Sequence, residues 1–218
     1  MQIDDIISNV QVYGLEESIK RSKYPMSTDT SACTTEPTKT TYSLGRASVG
    51  SGHDNWLNGV IVQFDLTFTN KAWVEAERYH FFDFVSSQST MHKITKFDFD
   101  EVYDSHVDSR IVHVVKEKVD AYNRMLKLTE HEDFKKLPEN EQKEALADLA
   151  DMYIDLLMNN PAGCRLTARM TTNYRQLKTI YNQRKNHRLP EWREFCEWMR
   201  LNLPHSEFIT GVKDEKEE

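Results

Sequence analysis

Basic residues are in deficit in this chain, cysteine and glycine are scarce, and long apolar runs are missing. Each shortage removes a class of function. Among 218 residues, 28 Lys and Arg stand against 35 Asp and Glu, a net charge of −7 at pH 7. A protein that coats nucleic acid phosphates carries the opposite sign. DNA and RNA are therefore disfavoured as partners, whereas an anionic small molecule held by a local group of arginines is not. The three cysteines, Cys33, Cys164 and Cys196, lie far apart and form no CxxC pair. An odd, unclustered set points to reduced thiols in a cytosol and not to a disulfide framework. Seven glycines build neither a Walker-type nor a GxGxxG loop, so any nucleotide must be held by side chains. No stretch reaches the roughly 18 apolar residues read as a membrane span. The opening MQIDDIISNVQVYG lacks the basic region and apolar core of a signal peptide. A cytoplasmic protein without membrane contact is expected.

Catalytic signatures are also few. The eight histidines show no HxxxH or HExxH spacing and do not cluster with cysteine, so no metal site is expected. Ser86, Ser87 and Ser89 sit in no GxSxG elbow, which leaves serine hydrolase chemistry unsupported.

What remains is the composition of a folded domain, 39% apolar and 29% charged. Residues 8–14 read as a short strand, and 15–24 as a helix with Glu early and Lys/Arg late, as the helix dipole prefers. The Ser/Thr-rich segment 25–46 lacks apolar periodicity and is expected to be a mobile loop, or one that orders over a ligand. The alternation in GVIVQFDLTFT (59–69) predicts a strand with one buried face, and 70–79 a helix with Asn70 as its cap. Asp98, Asp100, Glu101 and Asp104 predict a solvated acidic turn. From about residue 108 the chain is expected to be helical, with apolar stripes through Val115, Val119 and Tyr122 and through Leu149, Met152 and Leu156. Helices over 171–186 and 190–203 follow, the second with Pro190 at its first position. Strands early and helices late predict an α+β class, with a small antiparallel or mixed sheet flanked by helices and a helical C-terminal half. Residues 1–206 read as one domain and 207–218 as a charged tail.

Two segments hold the chemistry. On the predicted helix 171–186, Arg175 and Arg184 are nine residues apart. At 100° per residue that separation is half a turn, so the two cannot share one face. Arg suits phosphates because its planar fork donates two hydrogen bonds at once. The other segment is AERYHFFDFVSSQSTMHK (76–93), an aromatic run inside a polar one. Core burial accounts for Phe81, Phe82 and Phe84, but Ser86 to Thr90 must find polar partners.

Taken in order, these pieces resemble the flavin-dependent thymidylate synthase (ThyX) family over about residues 8–200. In that family a Gly-His dipeptide precedes a strand and a helix that leads into RHRxxSxNExSxRY. Downstream come NxRxLxxxxxxR and a HAQWEIRE-like segment. Here Gly52-His53 precedes VIVQFDLTF, and Arg78 stands at the first Arg of the motif. Asn173, Arg175, Leu177 and Arg184 match NxRxLxxxxxxR in register, and the segment from His187 to Glu194 resembles HAQWEIRE. The resemblance implies binding of FAD and dUMP, methylene-tetrahydrofolate and NADPH as cosubstrates, and sites shared within a homotetramer. It puts the catalytic roles on Arg184 and Ser89. FAD falls to Arg78, Tyr79, His80, Asn173, Arg175 and His187. The dUMP-like substrate falls to Arg78, Glu75, Ser87, Gln88, Ser89 and Arg184. The departures are equally specific. RHR is Arg78-Tyr79-His80 here, and two dUMP contacts of the family become Ser87 and Met91. A flavin-touching His and its flanking Glu fall on Gly59 and Asn58, and a phosphate-binding Arg falls near Leu157. His80, His92 and Lys93 are candidates to replace the lost cations. The readings are therefore a synthase of dTMP or a related pyrimidine-modifying enzyme, and a relative that keeps the fold and its ligands without synthase activity. A third reading is an α+β domain unrelated to either.

Overall fold

The computed structural model describes residues 6–211. Its strands are β1 (Ile7–Tyr13), β2 (Ile61–Thr69), β3 (Phe82–Ser87) and β4 (Arg165–Asn173). Among the described residues the helices are α1 (Leu15–Arg21), α2 (Lys39–Gly45), α3 (Asn70–Ala76), α4 (Thr90–Lys93), α5 (Phe99–Val102), α6 (Ser109–Glu130), α7 (Glu139–Met158), α8 (Tyr174–Arg184), α9 (Pro190–Asn202) and α10 (Glu207–Thr210). The strands form one sheet in the order β1-β2-β4-β3, with β1 antiparallel to β2 and β3 antiparallel to β4. The class is α+β with an antiparallel sheet, as the early strands and late helices predict. Two compact units make up the chain. One comprises residues up to Phe68, Ala72–Ser87 and Thr167 onward, the other Thr69–Lys71 and Gln88–Leu166.

The first unit is organised by strict alternation in β2. Val62, Phe64, Leu66 and Phe68 are fully buried, while Gln63, Asp65 and Thr67 stay partly exposed, the period of two that a pleated strand imposes. Helix α9 supplies the opposite face, because Trp192, Phe195, Cys196 and Met199 recur at three- and four-residue spacing and are all buried. Phe68 meets Trp192 edge-on at 4.9 Å, and Phe64 lies 5.6 Å from Phe195. Each such ring contributes roughly 1.5–3 kcal/mol by leaving water. Pro190 opens α9 at its first turn, where a missing N–H costs nothing.

In the second unit α6 and α7 pack through Val115, Val119, Leu149 and Leu156. Ile94, Phe99, Tyr103 and Cys164 complete that core. The acidic segment 98–104 is a helical turn and not a bare loop: Asp98 caps α5, accepting from the Asp100 N–H at 3.0 Å. Asp100 receives Lys116 at 2.6 Å, and Asp104 receives Arg165 at 3.1 Å.

Four stretches differ from the sequence expectations. The chain is not uniformly helical after residue 108, because β4 intervenes. Its inward residues are Ala168, Met170 and Thr172, with no aromatic and one β-branched side chain among them, so the alternation carries a weak strand signal. Residues 171–173 therefore belong to a strand and not to a helix. Of the three phenylalanines read as core, only Phe82 is buried. Phe81 is 67% exposed, at a left-handed φ of 57°, and Phe84 is 50% exposed. The aromatic run is an edge strand, β3, which has a neighbour on one side only. Segment 25–46 contains α2, held by a reciprocal cap between Thr38 and Thr41, and Lys23 ties its loop down through the carbonyls of Thr34 and Glu36 at 2.8 and 2.6 Å. Finally, residues 207–210 form α10, with Phe208 and Ile209 fully buried. Phe208 packs on Tyr42 and Trp56 and leaves no room for a Cβ at Gly45, which would stand 2.5 Å from its ring.

Candidate functional site

Helix α3 carries Glu75 on its last turn, and the turn that follows brings Tyr79 back beneath the end of α8. Arg184 closes α8, and a tight turn through His187 then leads into α9 and Trp192. These four segments bring a cation, a carboxylate, an imidazole and a phenol together. Nε of Arg184 donates to the Tyr79 Oη at 2.6 Å, and its Nη1 to Glu75 Oε2 at 2.9 Å. The guanidinium carbon lies 5.4 Å from the centre of the Tyr79 ring and 5.0 Å from that of Trp192, a cation–π pairing on two sides. Only 9% of Arg184 is exposed.

His187 completes the cluster. The Leu189 N–H donates to its Nδ1 at 3.2 Å, which puts the ring proton on Nε2, 3.2 Å from the same Glu75 oxygen. The Tyr79 hydroxyl in turn donates to Gln183 Oε1 at 3.1 Å. Burial pushes the Tyr79 phenol up, against the opposing hydrogen bond from Arg184, so it is a neutral donor at physiological pH. Beside it, burial pushes the Cys196 thiol up to about 12, and burial raises Cys164 as well. Neither is a thiolate nucleophile.

The other end of α8 builds a second group. Asn173 ends β4 and caps the helix, its side chain accepting from the Gln176 N–H at 2.8 Å. Arg175 donates through Nε to Asp54 Oδ1 at 3.2 Å, and Lys178 donates to Asp54 Oδ2 at 3.0 Å. Asp54 is fully buried and Lys178 nearly so, whereas the Arg175 side chain is 34% exposed. Its Nη atoms make no hydrogen bond or ion pair with a described residue. The half-turn between Arg175 and Arg184 thus separates two clusters, one facing Asp54 and one facing Glu75.

Of the residues that the sequence singles out, Glu75, Tyr79, Arg184 and His187 come together, and Asn173 and Arg175 share the start of α8. Arg78 and His80 are exposed, and Ser87 stands exposed on β3 opposite Ala168. Gln88 and Ser89 belong to the second unit, where Ser89 precedes α4 and its carbonyl accepts from the Lys93 N–H at 3.1 Å. Sequence reasoning missed Asp54, Lys178 and Trp192. Lys178 had a signal: it stands on the buried stripe Tyr174, Leu177, Lys178 and Tyr181, where an unpaired ammonium is too costly to keep. At Gly59 a Cβ would stand 2.5 Å from Ser18 Oγ, so a side chain there requires Ser18 to shift.

No family model and no curated protein matches the chain by sequence. Solved structures do match. The flavin-dependent thymidylate synthase ThyX from Helicobacter pylori complexed with FAD and dUMP aligns with a TM-score of 0.62 at 12% identity, covering 93% of this chain and 97% of that one. A second ThyX structure from Helicobacter pylori, with FAD and dUMP at 2.31 Å, aligns with a TM-score of 0.57 at 14% identity over the same shares. The fold is ThyX-like.

Proposed function

We propose that this chain binds FAD and a pyrimidine deoxynucleotide and acts as a flavin-dependent thymidylate synthase on dUMP, or on a closely related nucleotide. The likeness to ThyX along nearly the whole of both chains supports the reading, together with the motif resemblance at Arg78, Arg175 and Arg184. The residues fit the cofactor on one independent point. Arg175 is fixed from below by Asp54 and keeps its Nη donors unspent, the arrangement that receives a phosphate oxygen. Arg78, Tyr79, His80, Asn173 and His187 are proposed as the remaining flavin contacts. Arg78, Glu75, Ser87, Gln88, Ser89 and Arg184 are proposed for the nucleotide, in sites shared within a homotetramer.

Bound flavin supplies the hydride, and NADPH and methylene-tetrahydrofolate supply the reductant and the carbon. The chain supplies binding and charge. Arg184 lends positive charge to an anionic uracil ring through Nη2, the end that Tyr79 and Glu75 leave free. Glu75 and the two flanking rings hold that guanidinium in one orientation, so little is lost to reorganisation when charge develops. Tyr79 stays protonated and keeps Nε engaged.

A second reading has its own support. Gly59 stands where the family has histidine, and a Cβ there would press on Ser18 Oγ at 2.5 Å, while Glu75 offsets the charge of Arg184. Both favour a relative that keeps flavin and nucleotide without synthase activity. Purified protein that binds FAD and is stabilised thermally by dUMP supports the shared part of both readings, and absence of both effects sinks it. Growth of a thymidine-requiring strain on the expressed chain separates the two, because only a synthase restores it.

A further inference from the structure

Asp54 is a buried carboxylate that touches two cations, and the charges do not cancel. One negative charge faces Arg175 and Lys178, so the cluster keeps an excess of one positive charge. Lys178 cannot present that excess to a ligand. Its ammonium has three protons, and they go to the carbonyls of Gly45 at 2.8 Å and Ala47 and to Asp54. Arg175 has five N–H donors in a fixed fork. Only Nε–H is used, and the side chain is partly open to solvent. A lone Asp54 would neutralise Arg175 and compete with any anion arriving there. Lys178 takes the second carboxylate oxygen and removes that competition.

We propose that Asp54 is a positioning residue for anion recognition: it locks Arg175 through Nε, with its own charge offset by Lys178, so that the Nη groups receive a phosphate of a flavin nucleotide. The inference rests on the proposed function and adds a role that the family motif does not carry, since Asp54 lies outside every matched position.

Riboflavin, which has no phosphate, and FAD, which has two, serve as probes of binding by fluorescence titration. The wild-type chain is expected to bind FAD more tightly than riboflavin. Asp54→Asn is expected to weaken FAD by about tenfold or more, the scale of one charged hydrogen bond, and to leave riboflavin unchanged. In an Arg175→Met background the same substitution is expected to do nothing further, because the group it orients is gone. Equal losses for FAD and riboflavin, or an undiminished effect in Arg175→Met, overturn the inference. Asp54 is fully buried, so Asp54→Asn can fail to fold. Arg175→Lys then decides: it keeps a cation at Asp54 but loses the fork, and the expected result is the same selective loss of FAD, whereas wild-type FAD affinity overturns the inference. Wild-type chain that binds both probes equally also overturns it while leaving flavin binding intact. Wild-type chain that binds neither overturns the functional reading and this inference together.

Discussion

At the residue scale, the Glu75 cluster makes the sharpest demands. Its carboxylate offsets Arg184 and accepts from His187 Nε2 within a largely buried site, with side-chain exposures of 14% and 11% for Glu75 and Arg184. Breaking such a pair leaves an uncompensated cation, at a cost of about 3 kcal/mol. Glu75→Gln is therefore expected to lower the free energy of unfolding by that order in urea titration, while a change within experimental scatter would show that the pair is not held in solution. The cysteines make a second claim. Cys164 and Cys196 are buried and Cys33 is partly accessible, so a thiol reagent is expected to titrate one thiol in the native chain and three in denaturant. Cys196 also sets a pH dependence. Its folded value of about 12 lies above the ordinary 9.0, so the folded state holds the proton more tightly. Its contribution is complete below pH 9 and is lost as pH rises from 9 towards 12. Melting temperatures across that window are expected to fall more steeply for the wild type than for Cys196→Ala.

At the scale of elements, the legible parts were those whose side chains carry strong periodicity. β2 alternates Val, Phe, Leu and Phe against polar residues, and α9 pairs Pro190 with an apolar stripe, so both were readable within a residue or two. β4 was not, because its buried positions are Ala168, Met170 and Thr172, with no aromatic ring among them. β3 was not, because its one inward ring, Phe82, stands between two exposed ones. α2 was hidden for another reason: its start is fixed by hydroxyls and not by an apolar stripe. The Thr38 side chain accepts from the Thr41 N–H at 3.2 Å, and the Thr41 hydroxyl accepts from the Thr38 N–H at 3.1 Å. Thr38→Ala is expected to destabilise the chain by about 1 kcal/mol, read as a shift in denaturation midpoint. An unchanged midpoint would mean that α2 is held by its packing against Phe208 alone.

For the whole molecule, family resemblance and fold agree, although the identity is only 12–14%. The candidate site was half legible. The motif spacing named Arg175 and Arg184, and the half-turn between them correctly separated their surroundings. Of the partners that orient the arginines, Glu75, 109 residues from Arg184, was named through the family resemblance, whereas Asp54, 121 residues from Arg175, had no local pattern to announce it. Lys178 was legible only as a cation on the buried stripe of α8, and Trp192 only as one ring on the apolar stripe of α9. Every role proposed for Arg175 and Arg184 requires flavin occupancy, which titration of the purified chain with FAD, read by flavin fluorescence in the presence and absence of dUMP, decides. Saturable binding of FAD that dUMP alters is the predicted result. A chain that folds, binds no FAD and shows no response to dUMP would contradict it.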